Sequence, residues 1–389
     1  MSAIAEPTSP HVMNTYGRLP IAMSHGQGCR VWDTNGRVYL DGLDGIAVNT
    51  LGHNHPELVP ALQDQVAKLI HSSNYYHVPG QEKLAAKLTD LAGMTNVFFC
   101  CTGLEANEAA LKLARKWGRL HRGGAHQIIT TLGSFHGRTL ALMAASGKPG
   151  WDALFPPVMP GFVKVPYGDV PAVRAQIGPE TVAVMVEPIQ GEAGVVVPPD
   201  GYLAGLRRLC DEHGLLLICD EVQTGMGRTG TLFAFEREQV QPDILTLGKG
   251  LGGGVPISAV LANERASCFV PGDQGGTYNG NPLMVAVART IFDVVSRAEF
   301  LSTVRARGRY LEQRLAPLCA EYGLALRGRG LLWALVLREP TAEAIVASCF
   351  GQGLLINAPR PNLLRLMPSL RVSEAEIDEL VSLLERALR

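Results

Sequence analysis

The chain has 389 residues, 47% hydrophobic and 18% charged, with a formal net charge of −1. That length exceeds a typical single core, so two domains are expected, and the composition excludes a disordered chain. Near-neutrality leaves no electrostatic footprint for nucleic acid or an anionic membrane, so small molecules are the default partners. Eight cysteines with no C-x-x-C pair argue against a zinc site or a secreted disulfide framework. Residues 1–20 show no basic-then-apolar signal pattern, and no apolar run approaches the ~20 residues that span a bilayer, so a cytoplasmic location is expected.

Residues 28 to 50 alternate short β-prone pieces with turns, which predicts a small antiparallel hairpin. From about residue 56 the pattern changes. Pro56 to Ile70 and Gln81 to Ala92 have helical spacing, Asn96 to Cys101 reads as a strand, and Glu105 to Leu120 is a helix with Ala109, Leu113 and Trp117 on one face. Further strands are predicted at Gln127 to Leu132, Phe162 to Val165, Val182 to Val186, Leu215 to Cys219, Ile244 to Leu247 and Ile257 to Leu261. Seven apolar runs separated by helices or long loops argue for an α/β fold with a mostly parallel sheet covered on both faces. After Pro282, helices at Leu283 to Arg297 and Glu299 to Gly323 lead into a C-terminal α+β piece.

Two of these strands end in chemistry. Asp220 closes the run Leu215 to Cys219, and Lys249 follows the run Ile244 to Leu247, about one strand-helix-strand repeat later. Neighbouring parallel strands would project both from one carboxyl edge, where α/β proteins bind ligands. An amine beside a carboxylate is what pyridoxal phosphate requires: the lysine condenses with the aldehyde and the carboxylate keeps the ring nitrogen protonated. Taken singly, an Asp at a strand end is an ordinary cap and a Lys beside glycines an ordinary loop residue.

Other turns join this pair. Thr102-Gly103-Leu104-Glu105 lies where a strand enters a helix, a place for an anion. Phe135-His136-Gly137-Arg138 offers an aromatic to stack on a flat ring and a guanidinium to clamp a carboxylate. Glu187-Pro188-Ile189-Gln190-Gly191-Glu192 sets two carboxylates on one turn, Gln223 follows Asp220 closely, and Gly275-Gly276-Thr277 offers a hydroxyl for phosphate. Gly225-Met226-Gly227-Arg228-Thr229-Gly230 matches G-x-G-x-x-G, but five residues separate it from its strand and no helix follows, so it reads as a glycine-rich loop. His53-Asn54-His55-Pro56 lacks a third ligand and reads as a turn into a helix rather than a metal site.

Together these residues resemble the class III pyridoxal-phosphate aminotransferases of the aspartate-aminotransferase-like fold (fold type I). The matching pieces run in family order: Asp41 with Gly52 to Pro56, Gly103 to Glu108, Phe135 to Thr139, Glu187 to Glu192, Asp220 to Gly230, Lys249 before Gly252-Gly253-Gly254, Thr277 with Gly280-Asn281-Pro282, and Arg365 to Leu370. The resemblance implies a seven-stranded central sheet in a large cofactor domain over residues 56–282. A smaller α+β domain would be built from segments 1–55 and 283–389.

By the same resemblance Lys249 and Asp220 would be catalytic. Gly103, Leu104, Phe135, Val222, Gln223 and Thr277 would bind the cofactor, with Thr277 reaching the phosphate of a neighbouring subunit in a homodimer. Within the family the chain is most similar to the acetylornithine aminotransferases of arginine biosynthesis. Ile46, Arg138, Glu192 and Arg365 would then bind the substrates, N2-acetyl-L-ornithine as amino donor and 2-oxoglutarate as acceptor. An apolar Ile46 replaces the tyrosine of ornithine aminotransferases, which suits an acylated α-nitrogen. Arg138 would hold the donor's carboxylate and Arg365 that of 2-oxoglutarate, with Glu192 covering Arg365 while the donor is bound. Leu104 and Cys101 depart from the family pattern, and Leu104 removes a hydroxyl contact to the phosphate. Open at this level are succinyldiaminopimelate, succinylornithine, 4-aminobutyrate or a β-amino acid as donor, and an aminomutase or decarboxylase on the same scaffold.

Overall fold

The structure is a computed structural model and describes residues 11–389. The expected segment 1–55 therefore begins outside the described residues.

Three short strands open the described chain, β1 (Met23–Gln27), β2 (Arg30–Asp33) and β3 (Val38–Asp41), each antiparallel to the next. The turn between β2 and β3 is fastened by Asp33 Oδ1, which accepts the N–H groups of Asn35 and Arg37 at 2.9 Å. The helices Leu58–Lys68 and Gln81–Ala92 follow where the periodicity places them.

Seven strands then form the central sheet: β4 (Asn96–Cys100), β5 (Gln127–Thr131), β6 (Phe162–Val165), β7 (Thr181–Val186), β8 (Leu216–Asp220), β9 (Ile244–Leu247) and β10 (Ser258–Ala262). Their order is β4-β10-β9-β8-β7-β5-β6, and β10 alone is antiparallel to both its neighbours. Every residue of β7, β8 and β9 is buried, as expected of parallel strands covered on both faces. Continuous apolar runs such as Val182 to Val186 are the sequence form of that burial.

The helix Gly103–His121 packs on one face, and its apolar stripe through Ala109, Leu113 and Trp117 enters a core with Ile128, Met185 and Ile218. Gly118 allows the close approach, since a Cβ there would lie 1.9 Å from the Ala125 carbonyl oxygen. On the opposite face Leu203, Leu206 and Leu209, from the helix Tyr202–His213, join a core with Val184, Leu217 and Leu245.

Beyond the helices Pro282–Val295 and Ala298–Tyr322 lie β11 (Ala325–Arg329), β12 (Leu332–Val336), β13 (Leu354–Leu355), β14 (Asn357–Arg360) and β15 (Leu363–Leu366). Four of these form a sheet ordered β11-β12-β15-β14, while β13 pairs in parallel with β3. Cys29, in the turn before β2, and Leu40 of β3 share a core with Val304, Leu354 and Leu384, so distant parts of the chain pack together.

Candidate active site

In β8 and β9, Asp220 is registered against Thr246, so the carboxylate and the lysine that follows β9 emerge at one sheet edge. A cavity of about 240 Å³ opens there, and Lys249, Asp220, Gly103, Leu104, Phe135, Arg138, Glu192, Val222 and Gln223 all line it. Arg365 of β15 stands behind the lining residue Glu192: its Nη1 donates to Glu192 Oε1 at 2.6 Å and to the Gly191 carbonyl at 3.1 Å.

Asp220 is buried at 3% exposure and is held from several sides. Its Oδ2 accepts from Asn107 Nδ2 and from His136 Nδ1, each at 2.8 Å, and its Oδ1 from the Val222 N–H at 3.1 Å. Burial pushes the His136 imidazole toward neutrality, but its hydrogen bond to Asp220 and the charges of Asp220 and Glu187 together outweigh this and leave its pKa raised. An anchored anion at a sheet edge is thus built from three elements. Asn107 is itself set by Thr246, whose hydroxyl donates to Asn107 Oδ1 at 2.7 Å.

Lys249 sits at φ +40°, a left-handed conformation uncommon for a residue with a side chain. Burial lowers the pKa of its ammonium, against the pull of Glu192 and Asp220. Burial likewise raises that of Glu192, but Arg365 and then Lys249 outweigh it, and the carboxyl lies below its ordinary range. Glu187, deeper in, is pushed up to about 7 by burial, although it accepts the N–H of Phe135 at 3.0 Å and that of Gly191 at 3.2 Å.

Three of the residues singled out in the sequence stand apart from the cavity lining: Arg365, which meets it through Glu192, Thr277 and Ile46. Thr277 is exposed, on the segment before Asn279. Ile46, 37% exposed, lies on a turn in which Asp44, Gly45, Ile46 and Ala47 have φ of 57°, 64°, 67° and 61°. The turn is left-handed, and it packs against the Lys249–Leu251 turn. Asp41 Oδ1 fastens its start by accepting the N–H groups of Leu43 at 3.0 Å and Asp44 at 2.8 Å. Asp44 is also paired with Arg228 at 2.9 Å, both side chains 2% exposed. The glycine-rich loop Gly225 to Gly230 is a run of turns, and Arg228 is its structural payload. His53 is bonded to Asp41 through Nε2 at 2.9 Å.

A sequence profile described as aminotransferase class-III matches residues 12–388. The chain belongs to the class-III aminotransferases. This aminotransferase is 51% identical to acetylornithine aminotransferase 2 of Bordetella bronchiseptica over 379 residues, 96% of each chain. It is 47% identical to the acetylornithine aminotransferase of Ralstonia nicotianae, covering 100% of this chain and 99% of that one. Among solved structures it is similar to the ornithine aminotransferase of Toxoplasma gondii, with a TM-score of 0.92 at 34% identity over 97% of this chain and 92% of the other. The N-acetylornithine aminotransferase of Stenotrophomonas maltophilia gives 0.83 at 38% identity over 95% of both. The fold is that of the pyridoxal-phosphate aminotransferases, and the cofactor is pyridoxal 5′-phosphate.

The residues of this class-III aminotransferase fit that group. Gly103 and Leu104 open a 19-residue helix, so their N–H groups have no intrahelical acceptor and are available to a phosphate. A Cβ on Gly103 would lie 2.6 Å from Val222 Cγ1, so glycine keeps this floor open. Gln223 Oε1, His136 Nε2 and Arg365 Nη2 are buried without a partner among the described residues. Such orphaned polar atoms are rare in a finished core and common where a ligand completes the bonding. Asn107, His136 and Thr246 were absent from the sequence-derived site. Asn107 and His136 lie inside the matching pieces Gly103 to Glu108 and Phe135 to Thr139 without a role assigned there, and Thr246 is marked only by its place near the end of the strand before Lys249.

Proposed function

We propose that the protein transfers the ω-amino group of N2-acetyl-L-ornithine to 2-oxoglutarate, giving N-acetyl-L-glutamate 5-semialdehyde and L-glutamate, a step of arginine biosynthesis. The observation that carries this reading is a pair of guanidiniums of opposite accessibility beside one lysine. Arg138 is exposed and lines the cavity, whereas Arg365 is buried and neutralised by Glu192. A donor whose carboxylate is remote from its reacting carbon needs the first. An acceptor with a carboxylate on its reacting carbon needs the second, and covering Arg365 stops the donor binding the wrong way round. The names of the curated relatives support the same donor.

When bound, pyridoxal phosphate supplies an electron sink for the carbon that loses its proton. Lys249 Nζ, its ammonium destabilised by burial, takes that proton from the donor and returns it later in the half-reaction. Asp220, fixed by Asn107 and His136, would hold the ring nitrogen and keep it protonated. Phe135 and Val222 would hold the ring, the Gln223 amide N–H would donate to its phenolic oxygen, and the Gly103 and Leu104 N–H groups would bind the phosphate. Ile46 borders the acyl end of the donor. Thr277 completes the phosphate site of a second copy, so the working unit is a homodimer. The exposure of Thr277, away from the cavity of its own chain, supports this. The division into 56–282 and 283–389 with 1–55 is supported by the core that Cys29 and Leu40 share with the C-terminal helices. Free cysteines throughout suit the reducing cytoplasm as its location.

A half-reaction panel tests the donor. Each candidate amine is added to the cofactor-loaded enzyme and the first-order absorbance change is followed. N-acetylornithine is expected to react at least tenfold faster than 4-aminobutyrate, ornithine or a β-amino acid. Equal rates for 4-aminobutyrate and N-acetylornithine would overturn the assignment.

A further inference from the structure

A second cavity, of about 460 Å³, opens where the helix Ala298–Tyr322 and the β11–β12 hairpin meet the segment 229–238. None of its lining residues borders the Lys249 cavity. Its floor is backbone against backbone. A Cβ on Gly308 would stand 2.7 Å from the Gly330 carbonyl oxygen, and one on Gly330 would stand 2.5 Å from the Thr229 carbonyl carbon. Trp333 Nε1 donates to the same Gly330 carbonyl at 2.7 Å. The cavity therefore has a fixed base and is not a gap between loose side chains.

Its walls carry unbalanced charge. Arg237, Arg305, Arg309 and Arg329 line it against two carboxylates, Glu238 and Glu312. Among the described residues the only ion pair any of the four makes is Arg329 Nη2 to Asp200 Oδ1, at 3.9 Å and with Asp200 94% exposed. Glu238 is otherwise engaged, since its Oε2 accepts the Ala204 N–H at 3.1 Å. Arg305 donates to the Gly230 carbonyl at 3.1 Å, which leaves most of its fork free. Arg329 is half-buried, and burial first and Arg237 second depress its pKa, outweighing the pull of Asp200 and Glu238.

We propose that this cavity binds a small polyvalent anion, one that carries at least two carboxylate or phosphate groups. Arg305 and Arg309 stand one helical turn apart, and Arg237 and Arg329 come from the other wall, so two anionic groups joined by a short linker match two pairs of guanidinium forks. A monovalent ion would satisfy one pair only. The volume lies within the range of small-molecule sites, and the polar walls exclude an apolar ligand. Binding ties the helix Ala298–Tyr322 to the segment 229–238, which directly follows Arg228, the residue anchored through Asp44 to the turn that carries Ile46.

The test is a titration of the cofactor-loaded enzyme with citrate and, separately, with inorganic pyrophosphate, against sodium chloride at matched ionic strength. Calorimetry and the melting temperature are the readouts. At least one polyanion is expected to bind saturably and raise Tm by several degrees where chloride does not. Which of the two does so separates carboxylate from phosphate ligands. Combined Arg309→Gln and Arg329→Gln substitutions are expected to weaken that binding at least tenfold and to leave turnover within twofold. Arg309→Gln alone, on an exposed helix face, gives the same reading at smaller amplitude if the pair folds poorly. An equal response to chloride overturns the proposal. So does binding that survives these substitutions, or that disappears in Arg138→Gln, because the anion is then seated at the catalytic cavity.

Discussion

Arg365 is fully buried, and Glu192, the carboxylate that neutralises it, keeps 29% of its side chain exposed. The mobile member of the pair is therefore the acid, which can swing while the guanidinium stays held by Asn357 and the Gly191 carbonyl. Glu192→Gln removes the covering charge and leaves the buried cation open to any carboxylate. The ratio of N-acetylornithine to glutamate reactivity is expected to fall at least tenfold, about 1.4 kcal/mol, in single-turnover measurements. An unchanged ratio would show that Glu192 does not gate the site. Lys249→Ala is expected to abolish turnover while leaving the cofactor-dependent absorbance titratable. The pH dependence has a definite sign. Burial lowers the Lys249 pKa, so the free amine persists below the ordinary lysine range. As pH falls through that lowered value the amine protonates and kcat drops. An acid limb of kcat at the ordinary lysine pKa would contradict this.

The turn Asp44 to Ala47 is left-handed through four residues, three of which carry side chains. Each such residue costs roughly 1–2 kcal/mol relative to right-handed backbone. The surrounding contacts must hold it there, and one of them is the buried Asp44–Arg228 pair. Asp44→Ala leaves Arg228 buried and uncompensated, with an expected cost of about 3–5 kcal/mol in urea denaturation. Adding Arg228→Met is expected to recover much of it. Gly103→Ala acts on another element: its methyl group meets Val222, displaces the first turn of the helix Gly103–His121, and is expected to weaken pyridoxal phosphate at least tenfold in absorbance titrations. Strands and helices were legible in the sequence because burial on both faces demands apolar runs and amphipathic packing demands a 3.6-residue period. The left-handed turn was not, since nothing in Asp44, Ile46 or Ala47 marks a positive φ, and tertiary contacts impose it.

Thr277 and Tyr278 lie on an exposed segment, and Tyr75 and Tyr76 are 94% and 72% exposed. Uncovered aromatics of this size are the residues that oligomer interfaces enclose. The proposed homodimer is expected to sediment at twice the 41.7 kDa chain mass. In mixed dimers of Thr277→Ala with Lys249→Ala, one of the two sites would have both lesions and the other neither, which restores about half of the wild-type activity per dimer. Activity tracking Thr277 within its own chain would place that hydroxyl in the same subunit's site.

The sequence by itself determined the central sheet, the family and most of the residues around the cavity. Strand ends carry Asp220 and Lys249 in local order, and local order survives folding. Only the tertiary structure decided that Asn107 and His136 hold Asp220, that Arg228 clamps the turn bearing Ile46, and that four arginines face one second cavity. In each case the partners are far apart in the chain. What joins them is packing against shared cores and burial of charge, which no single stretch of sequence encodes.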